Sequence, residues 1–436
     1  MSRIAMVAYT DYRSDPRVRR EAEALTKAGH WVTVFCLEEG GAHPTMVDGV
    51  EVLGIFAGRY RGGNPLAYFF NYGRFVLAAR RALHHYHRQR PFDLVQAHTM
   101  PDFVVFSARP LKRAGIPVLL DIHDLMPELF VSKFGLTPRH PVVRLLRWQE
   151  RRSARFAHRC LAVHRRHRQL LADRSGADVT IDVVHNLPDP RWFPLTAPAE
   201  TESGKMRIVY HGTVAHRHGI EVAVKAMHLI HDQFPSARLD VYGDGDAASS
   251  VAALIEELDA SAYIGFQVGM VPLEQLVPTL QGAGIGVIPL LGDTFTNYML
   301  PTKLLEYVAM GVPVICSDLL SVRDYFCERQ VRYVKPGDVE DLATALRQLL
   351  SDPDLRRRLA TEAASFYDRY SWSAEERTYL LIVESMIEAN AERTTEHSIG
   401  ASHERERKSR RRWTGGGGNT AGCAAVRVLR RDDLRC

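Results

Sequence analysis

Two charged side chains one helical turn apart, Lys303 and Glu306, stand in the stretch YMLPTKLLEYVAMGVPVICSD, residues 298–318. Leu304, Leu305, Val308 and Ala309 recur at helical spacing, and Pro301 falls where a first turn tolerates a missing amide. Met310-Gly311 closes the helix before a short apolar strand that begins at Pro313. On such a helix Glu306 lies opposite Leu304 and Val308, and the N-terminus at residues 300–303 opens into a loop. Unpaired amides and partial positive charge suit a phosphate there, and Lys303 adds a full charge. A carboxylate one turn in can accept both hydroxyls of a ribose. Singly, each residue reads as the polar face of an amphipathic helix; together they read as a nucleotide site.

Elements elsewhere must bring further groups to it. Residues 3–9 form an expected strand, 17–28 a helix closed by Gly29, and 31–36 a second strand, a β-α-β unit that predicts a parallel sheet. No G-x-G-x-x-G follows the first strand, so the dinucleotide fingerprint is absent. Ligands of such sheets sit beyond the carboxyl ends of the strands, where Arg17, Arg20 and Glu21 are expected to face a cleft. Apolar strands at 92–97 and 117–122 end at His98 and His123, and His123 is flanked by Asp121, Asp124 and Glu128. A lone histidine is usually structural, but His123 in this acidic strand tip is expected to be functional. The carboxylates do not have the spacing of a recognised metal cage.

The pattern then restarts. Residues 187–205, with prolines at 188, 190, 194 and 198, read as a linker. A strand at 207–210 leads into a glycine-bounded loop, 211–219, in which Gly212 and Thr213 allow backbone to approach a phosphate. Another strand, 238–243, ends at Gly243-Asp244, and strands at 263–266 and 284–289 follow.

PTKLLEYVAMGVPVI closely resembles the nucleotide-sugar site of retaining GT-B glycosyltransferases of the family-4 type, in the bacterial subgroup with a P-x-K-x-x-E-Y core. DPRVRREAEAL resembles that family's D-x-R-V-x-R-E-A segment, and AHTMPDF and DIHDLMPE resemble two more of its segments. The resemblance implies an α/β fold of two Rossmann-like, doubly wound parallel-sheet domains facing across a cleft. Their expected extents are 1–186 and 206–372, with a helix at 373–392 crossing back to the first domain. In the donor site it implies that Glu306 holds the ribose, while Lys303 and the amides around Pro301, Thr302 and Leu304 hold the diphosphate. Gly212, Thr213 and a basic residue before Gly219 would join them; Arg217 is the expected equivalent, with His218 the alternative. Gly243 and Asp244 would lie near the base. His123 would orient the sugar or acceptor, and Asp15, Arg17, Arg20, Glu21 and His98 would line the acceptor side. Tyr298 stands where the family often has a second Glu that contacts the sugar. Neither a cofactor nor a metal is implied. The implied activity is retaining transfer of a hexose-type sugar from a UDP- or GDP-sugar to a lipid-linked or saccharide acceptor, in surface polysaccharide or glycolipid synthesis. A sugar-nucleotide 2-epimerase of the same fold, or a non-catalytic partner subunit, are the alternatives.

Charge separates the chain into regions. The 436 residues carry +5, but 393–436 alone hold +6 and 1–392 hold −1, which argues against a nucleic-acid partner. That tail, with four consecutive glycines and no apolar periodicity, is expected to be disordered. Residues 139–168 contain ten arginines against Glu150, interleaved with Trp148 and aliphatic residues, a pattern that fits an anionic membrane surface. No apolar run reaches the roughly 18 residues of a membrane span. A cytoplasmic protein, peripheral on the inner face of the membrane, is expected. The six scattered cysteines include no C-x-x-C pair and predict reduced thiols.

Overall fold

Strands buried on both faces need no polar alternation, and the short apolar runs of this chain pair accordingly into two sheets. The computed structural model describes residues 1–37, 44–56, 65–198, 206–269 and 271–414. The first sheet comprises Arg3–Asp11 (β1), Trp31–Leu37 (β2), Thr45–Val47 (β3), Val50–Phe56 (β4), Leu94–His98 (β5), Val118–Ile122 (β6), Arg159–Ala162 (β7) and Ile181–Val183 (β8). Its order is β3-β4-β2-β1-β5-β6-β7-β8, parallel throughout except for β3 against β4. The second comprises Arg207–His211 (β9), Arg238–Gly243 (β10), Ile264–Val268 (β11), Ile285–Ile288 (β12), Val314–Ser317 (β13) and Arg332–Val334 (β14). Its order, β11-β10-β9-β12-β13-β14, is the Rossmann order, all parallel. In each sheet the winding reverses beside the first strand, between β1 and β5 and between β9 and β12. The crevices at those reversals are where such sheets bind ligands.

Helices cover both faces of the first sheet. On one face Val18 and Leu25 of the Pro16–Lys27 helix pack with Leu94, Leu119 and, from the last helix, Tyr379 and Val383. On the other, Phe75 and Leu83 of Pro65–Gln89 share a cluster with Leu146 of Pro141–Phe156 and Leu171 of Arg165–Ser175. In the second domain Thr302–Ala309 buries Leu304, Leu305 and Val308 together with Leu187 and Phe193 of the linker. Each such fully buried side chain contributes about 1.5–3 kcal/mol relative to exposure.

Two short strands, β3 and β14, were not marked by the sequence pattern. The last helix, Trp372–Thr414, runs past the expected boundary at 392, so the tail is helical as far as Thr414 rather than disordered throughout. Apolar periodicity was the wrong signal there. Residues 404–412 are instead rich in good helix formers. Residues 415–436 lie outside the described residues, as do 199–205 of the linker. Cys36, Cys160 and Cys316 are buried free thiols and Cys327 an exposed one.

Candidate active site

A cleft of about 850 Å³ lies between the two sheets, walled by residues of both domains and of the segment 186–193 between them. Its second-domain wall is built on the Thr302–Ala309 helix, whose N-cap residue is Pro301. Lys303 and Glu306 both line the cleft, as do Pro301 and Thr302. Lys303 Nζ donates to Tyr210 Oη at 3.0 Å and lies over that ring. Burial, reinforced by the Arg217 charge and opposed by Glu306, lowers the ammonium to about 8. Burial pushes the Glu306 carboxyl up to about 7, with Lys303 opposing. Glu306 Oε2 is 3.1 Å from Nε2 of His211, at the tip of β9. Burial and then Lys303 hold that imidazole down at about 3, so it is neutral.

The loop after β9 supplies the next piece. Thr213 and His218 line the cleft, and His218 Nδ1 lies 2.6 Å from Thr213 O and 3.1 Å from Tyr210 Oη. Arg217 is not in the wall. Its guanidinium sits 5.7 Å from the Phe295 ring centre, and its buried Nε lacks a hydrogen-bond partner. Of the two candidates before Gly219, His218 is the one that meets the cleft; it is the buried residue of the short turn His216–His218. Gly212 lies under Lys303, and a Cβ on it would meet Lys303 Cε at 3.0 Å. Gly243 and Asp244 do not line the cleft. A Cβ at Gly243, whose φ is +150°, would come within 1.8 Å of Gly212 O, so this glycine lets β10 close against the β9 loop. Leu304 points away from the cleft into the core.

Across the cleft stands His123. Its Nε2 is 2.7 Å from Asp121 Oδ2, outside hydrogen-bond alignment, and its buried Nδ1 has no hydrogen-bond partner. His98 Nδ1 reaches the same Asp121 oxygen at 3.0 Å, and the two rings stack 5.9 Å apart. Register explains the convergence, since His98 pairs directly with Asp121 along β5 and β6. Burial alone would raise the Asp121 carboxyl, but His123 and then His98 outweigh it and hold it below the usual range. Behind it Glu21 is fully buried and, through burial and the Asp121 charge, raised well above the usual range. Gln96 Nε2 donates to Glu21 at 2.6 Å, and Tyr379 Oη donates to Gln96 at 2.6 Å.

Thus His98 and Glu21 do not line the cleft; they support Asp121 from behind. Asp15 likewise stays out of the wall, because it caps the Pro16–Lys27 helix by accepting from Arg17 N at 3.1 Å. Arg17 and Arg20 do line the cleft. Arg20 is also tied to the inter-domain segment through Asn186 Oδ1 at 3.0 Å and lies over the Trp372 ring. Among the described residues, His98, Asp121 and His123 are the set whose ligand atoms converge enough for a metal ion. As they stand, Asp121 Oδ2 is shared between the two rings.

Tyr298 lines the cleft too, but its ring packs on the first-domain core and its carbonyl accepts from His164 Nε2 at 2.8 Å. His164 and His167 line the cleft as well. Burial lowers His164 to about 4. Sequence reasoning missed His164 and His211, although both follow apolar strands, the same signal that marked His98 and His123.

Residues 14–187 match the family model for a glycosyl transferase 4-like domain, and residues 196–366 that for glycosyl transferases group 1. Together they place the chain in the GT-B glycosyltransferase group. The transferase is 27% identical over 307 residues to a phosphatidyl-myo-inositol mannosyltransferase of Mycobacterium leprae, covering 68% of this chain and 74% of that protein. It is 28% identical over 166 residues to the sulfoquinovosyl transferase SQD2 of Arabidopsis thaliana, 36% of this chain but only 30% of that one. In fold the transferase resembles a sucrose-phosphate synthase from Thermosynechococcus elongatus, with TM-score 0.73 and 17% identity over 89% of this chain and 100% of that one. It also resembles Anabaena HepE solved with UDP and glucose, with TM-score 0.66 and 12% identity over 88% of this chain and 100% of that one.

Proposed function

We propose that this glycosyltransferase moves a hexose-type sugar from a UDP- or GDP-sugar to a lipid-linked or saccharide acceptor with retention, in surface polysaccharide or glycolipid synthesis. The observation that carries the reading is the placement of Lys303 and Glu306 on one turn of a helix, at the wall of a cleft shared by both domains, with His123 opposite. Glu306 accepts the ribose hydroxyls. Lys303, the amides at the start of its helix and the loop at 212–218 receive the diphosphate, and their fixed positive character stabilises the leaving group as its bond to the anomeric carbon breaks. His123, set against Asp121, orients the sugar or the incoming hydroxyl. Arg17 and Arg20 face the acceptor half. No metal is needed in this scheme, so EDTA should leave turnover unchanged.

Calorimetry with panels of UDP- and GDP-sugars tests the donor site. Selective binding that disappears in Glu306→Ala supports it, and unchanged binding in that variant places the donor elsewhere. The anomeric configuration of the product, read by NMR, tests retention.

A further inference from the structure

We infer that the outer helical face of the first domain docks on the headgroup surface of an anionic lipid bilayer. Two helices build this face. Pro65–Gln89 and Pro141–Phe156 both pack against the Asp102–Ala108 turn and share one core cluster on the same side of the sheet. On the first, Phe70, Arg74, Leu77, Arg81, His84 and Arg88 are exposed three or four residues apart, in a single stripe. On the second, Arg144, Leu145, Trp148, Arg151 and Arg152 are exposed together. Arg109 and Arg113, just after the turn, are exposed as well.

The three segments show no exposed carboxylate. Pro65–Gln89 has no Asp or Glu at all, Asp102 is buried, and Glu150 is buried against Arg174. Residues 1–392 carry a net −1, so this face is a segregated patch of positive charge rather than a sample of a basic protein. Large apolar side chains stand among the arginines. Phe70 is 70% exposed, Leu77 53%, Leu145 56% and Trp148 55%. Arg152 lies 5.3 Å from the Trp148 ring centre, and Arg74 lies 5.9 Å from that of Phe70. A purely polyanionic partner rewards the arginines and leaves the apolar groups without a role. A bilayer interface rewards both, seating Trp, Phe and Leu at the acyl boundary and the guanidinium groups at phosphates.

Orientation adds to the case. Each helix is followed by a strand, β5 or β7, that enters the sheet at its amino edge, so the first half of each helix lies toward the carboxyl edge and the cleft. Phe70, Leu145 and Trp148 fall in those halves, and Leu77 at mid-helix. No helix among the described residues is long and apolar enough to cross a membrane, so the contact is with the surface. The inference stands apart from the donor assignment, because docking needs neither donor nor acceptor.

Vesicle flotation of the full chain tests it, comparing phosphatidylcholine alone with phosphatidylcholine containing about 30% phosphatidylglycerol. The expected result is binding to the anionic vesicles only, weakening as salt rises. Arg144→Gln/Arg151→Gln/Arg152→Gln should lower partitioning roughly a hundredfold, and Leu145→Ser/Trp148→Ser about tenfold or more. Arg357→Gln/Arg358→Gln, two exposed positions on the second domain, should leave it unchanged. Quenching of tryptophan fluorescence by brominated lipid should be lost in Trp148→Phe. Equal binding by all variants assigns the contact to the basic segment after 392 and overturns the inference, as does absence of binding at low salt. Binding of a duplex oligonucleotide as tight as vesicle binding, and indifferent to Leu145→Ser/Trp148→Ser, reassigns the face to polyanions and overturns it too.

Discussion

At Glu306 and Lys303 burial acts in opposite senses on two groups that the proposed donor site needs charged. The carboxyl, raised to about 7, becomes a double acceptor only as pH climbs through that value. The ammonium, lowered to about 8, is lost above it. The expected kcat/KM profile, which reports the free enzyme, is therefore a narrow bell with limbs near those two values, and Glu306→Gln should flatten the acid limb. Glu306→Ala should weaken donor binding by about 2–3 kcal/mol, some 30- to 150-fold by calorimetry, since hydrogen bonds to a charged group are at stake. Lys303→Ala should cost about two to three orders of magnitude in kcat with less effect on donor affinity. Asp102 invites a different test. It is fully buried, both carboxyl oxygens lack hydrogen-bond partners, and burial followed by repulsion from Glu150 raises it well above the usual range. The folded chain thus holds a proton there that the unfolded chain gives up, so stability falls as pH rises above the ordinary carboxylate range. Asp102→Asn should raise the melting temperature at about pH 8, and the gain should vanish in acid below that range. A loss of stability at every pH would show that the carboxyl is needed where it sits.

At the scale of elements, what could be read in advance was what local chemistry dictates. The Thr302–Ala309 helix was legible because Pro301, its apolar spacing and Met310-Gly311 all agree. The strand tips were legible because apolar runs ended at histidines. Which tip side chains face the cleft was not legible, since that depends on register: His98 pairs with Asp121 and turns inward while His123, one step further along, meets the cleft. Which of Arg217 and His218 lines the cleft was open in the same way, because it depends on a short turn whose phase the sequence does not carry. Tyr298 marks a similar limit, because its role as a contact with the other domain exists only once the domains meet. Gly311 shows how tightly such elements close. Its φ is +67°, and an added Cβ would stand 2.8 Å from backbone atoms of Thr196, Ala197 and Pro198. Gly311→Ala should therefore destabilise by more than the roughly 1 kcal/mol of backbone strain alone, because the linker cannot yield as a side-chain end could. Chemical denaturation checks this, and a change below about 0.5 kcal/mol would mean the linker is free to move.

At the scale of the whole molecule, the two sheets between residues 3 and 334 are joined by contacts of unequal worth. Arg166 and Asp324 form a bidentate pair at 2.6 and 2.7 Å, but both side chains are about one-third exposed. Exposed pairs of this kind contribute about 0.2–1 kcal/mol even with good geometry. His185 is different. Just beyond β8, its Nδ1 is 2.9 Å from Glu375 Oε1 on the crossing helix, and its Nε2 is 2.9 Å from Tyr325 Oη of the second domain. Its backbone N–H also donates to Glu375, and Tyr370 packs on the ring. Removing that ring strips a buried carboxylate of a partner and opens a void where the first domain, the second domain and the crossing helix meet. Loss of one partner of a buried charged group costs about 3–5 kcal/mol. His185→Ala should therefore lower the melting temperature sharply and split one calorimetric transition into two, as the domains unfold separately. Arg166→Ala should shift the single transition by at most a few degrees. Were the two variants to behave alike, the junction would owe its strength to apolar packing of Tyr325, Phe366 and Tyr370 rather than to the histidine, and Tyr370→Ala would then be the variant that separates the domains.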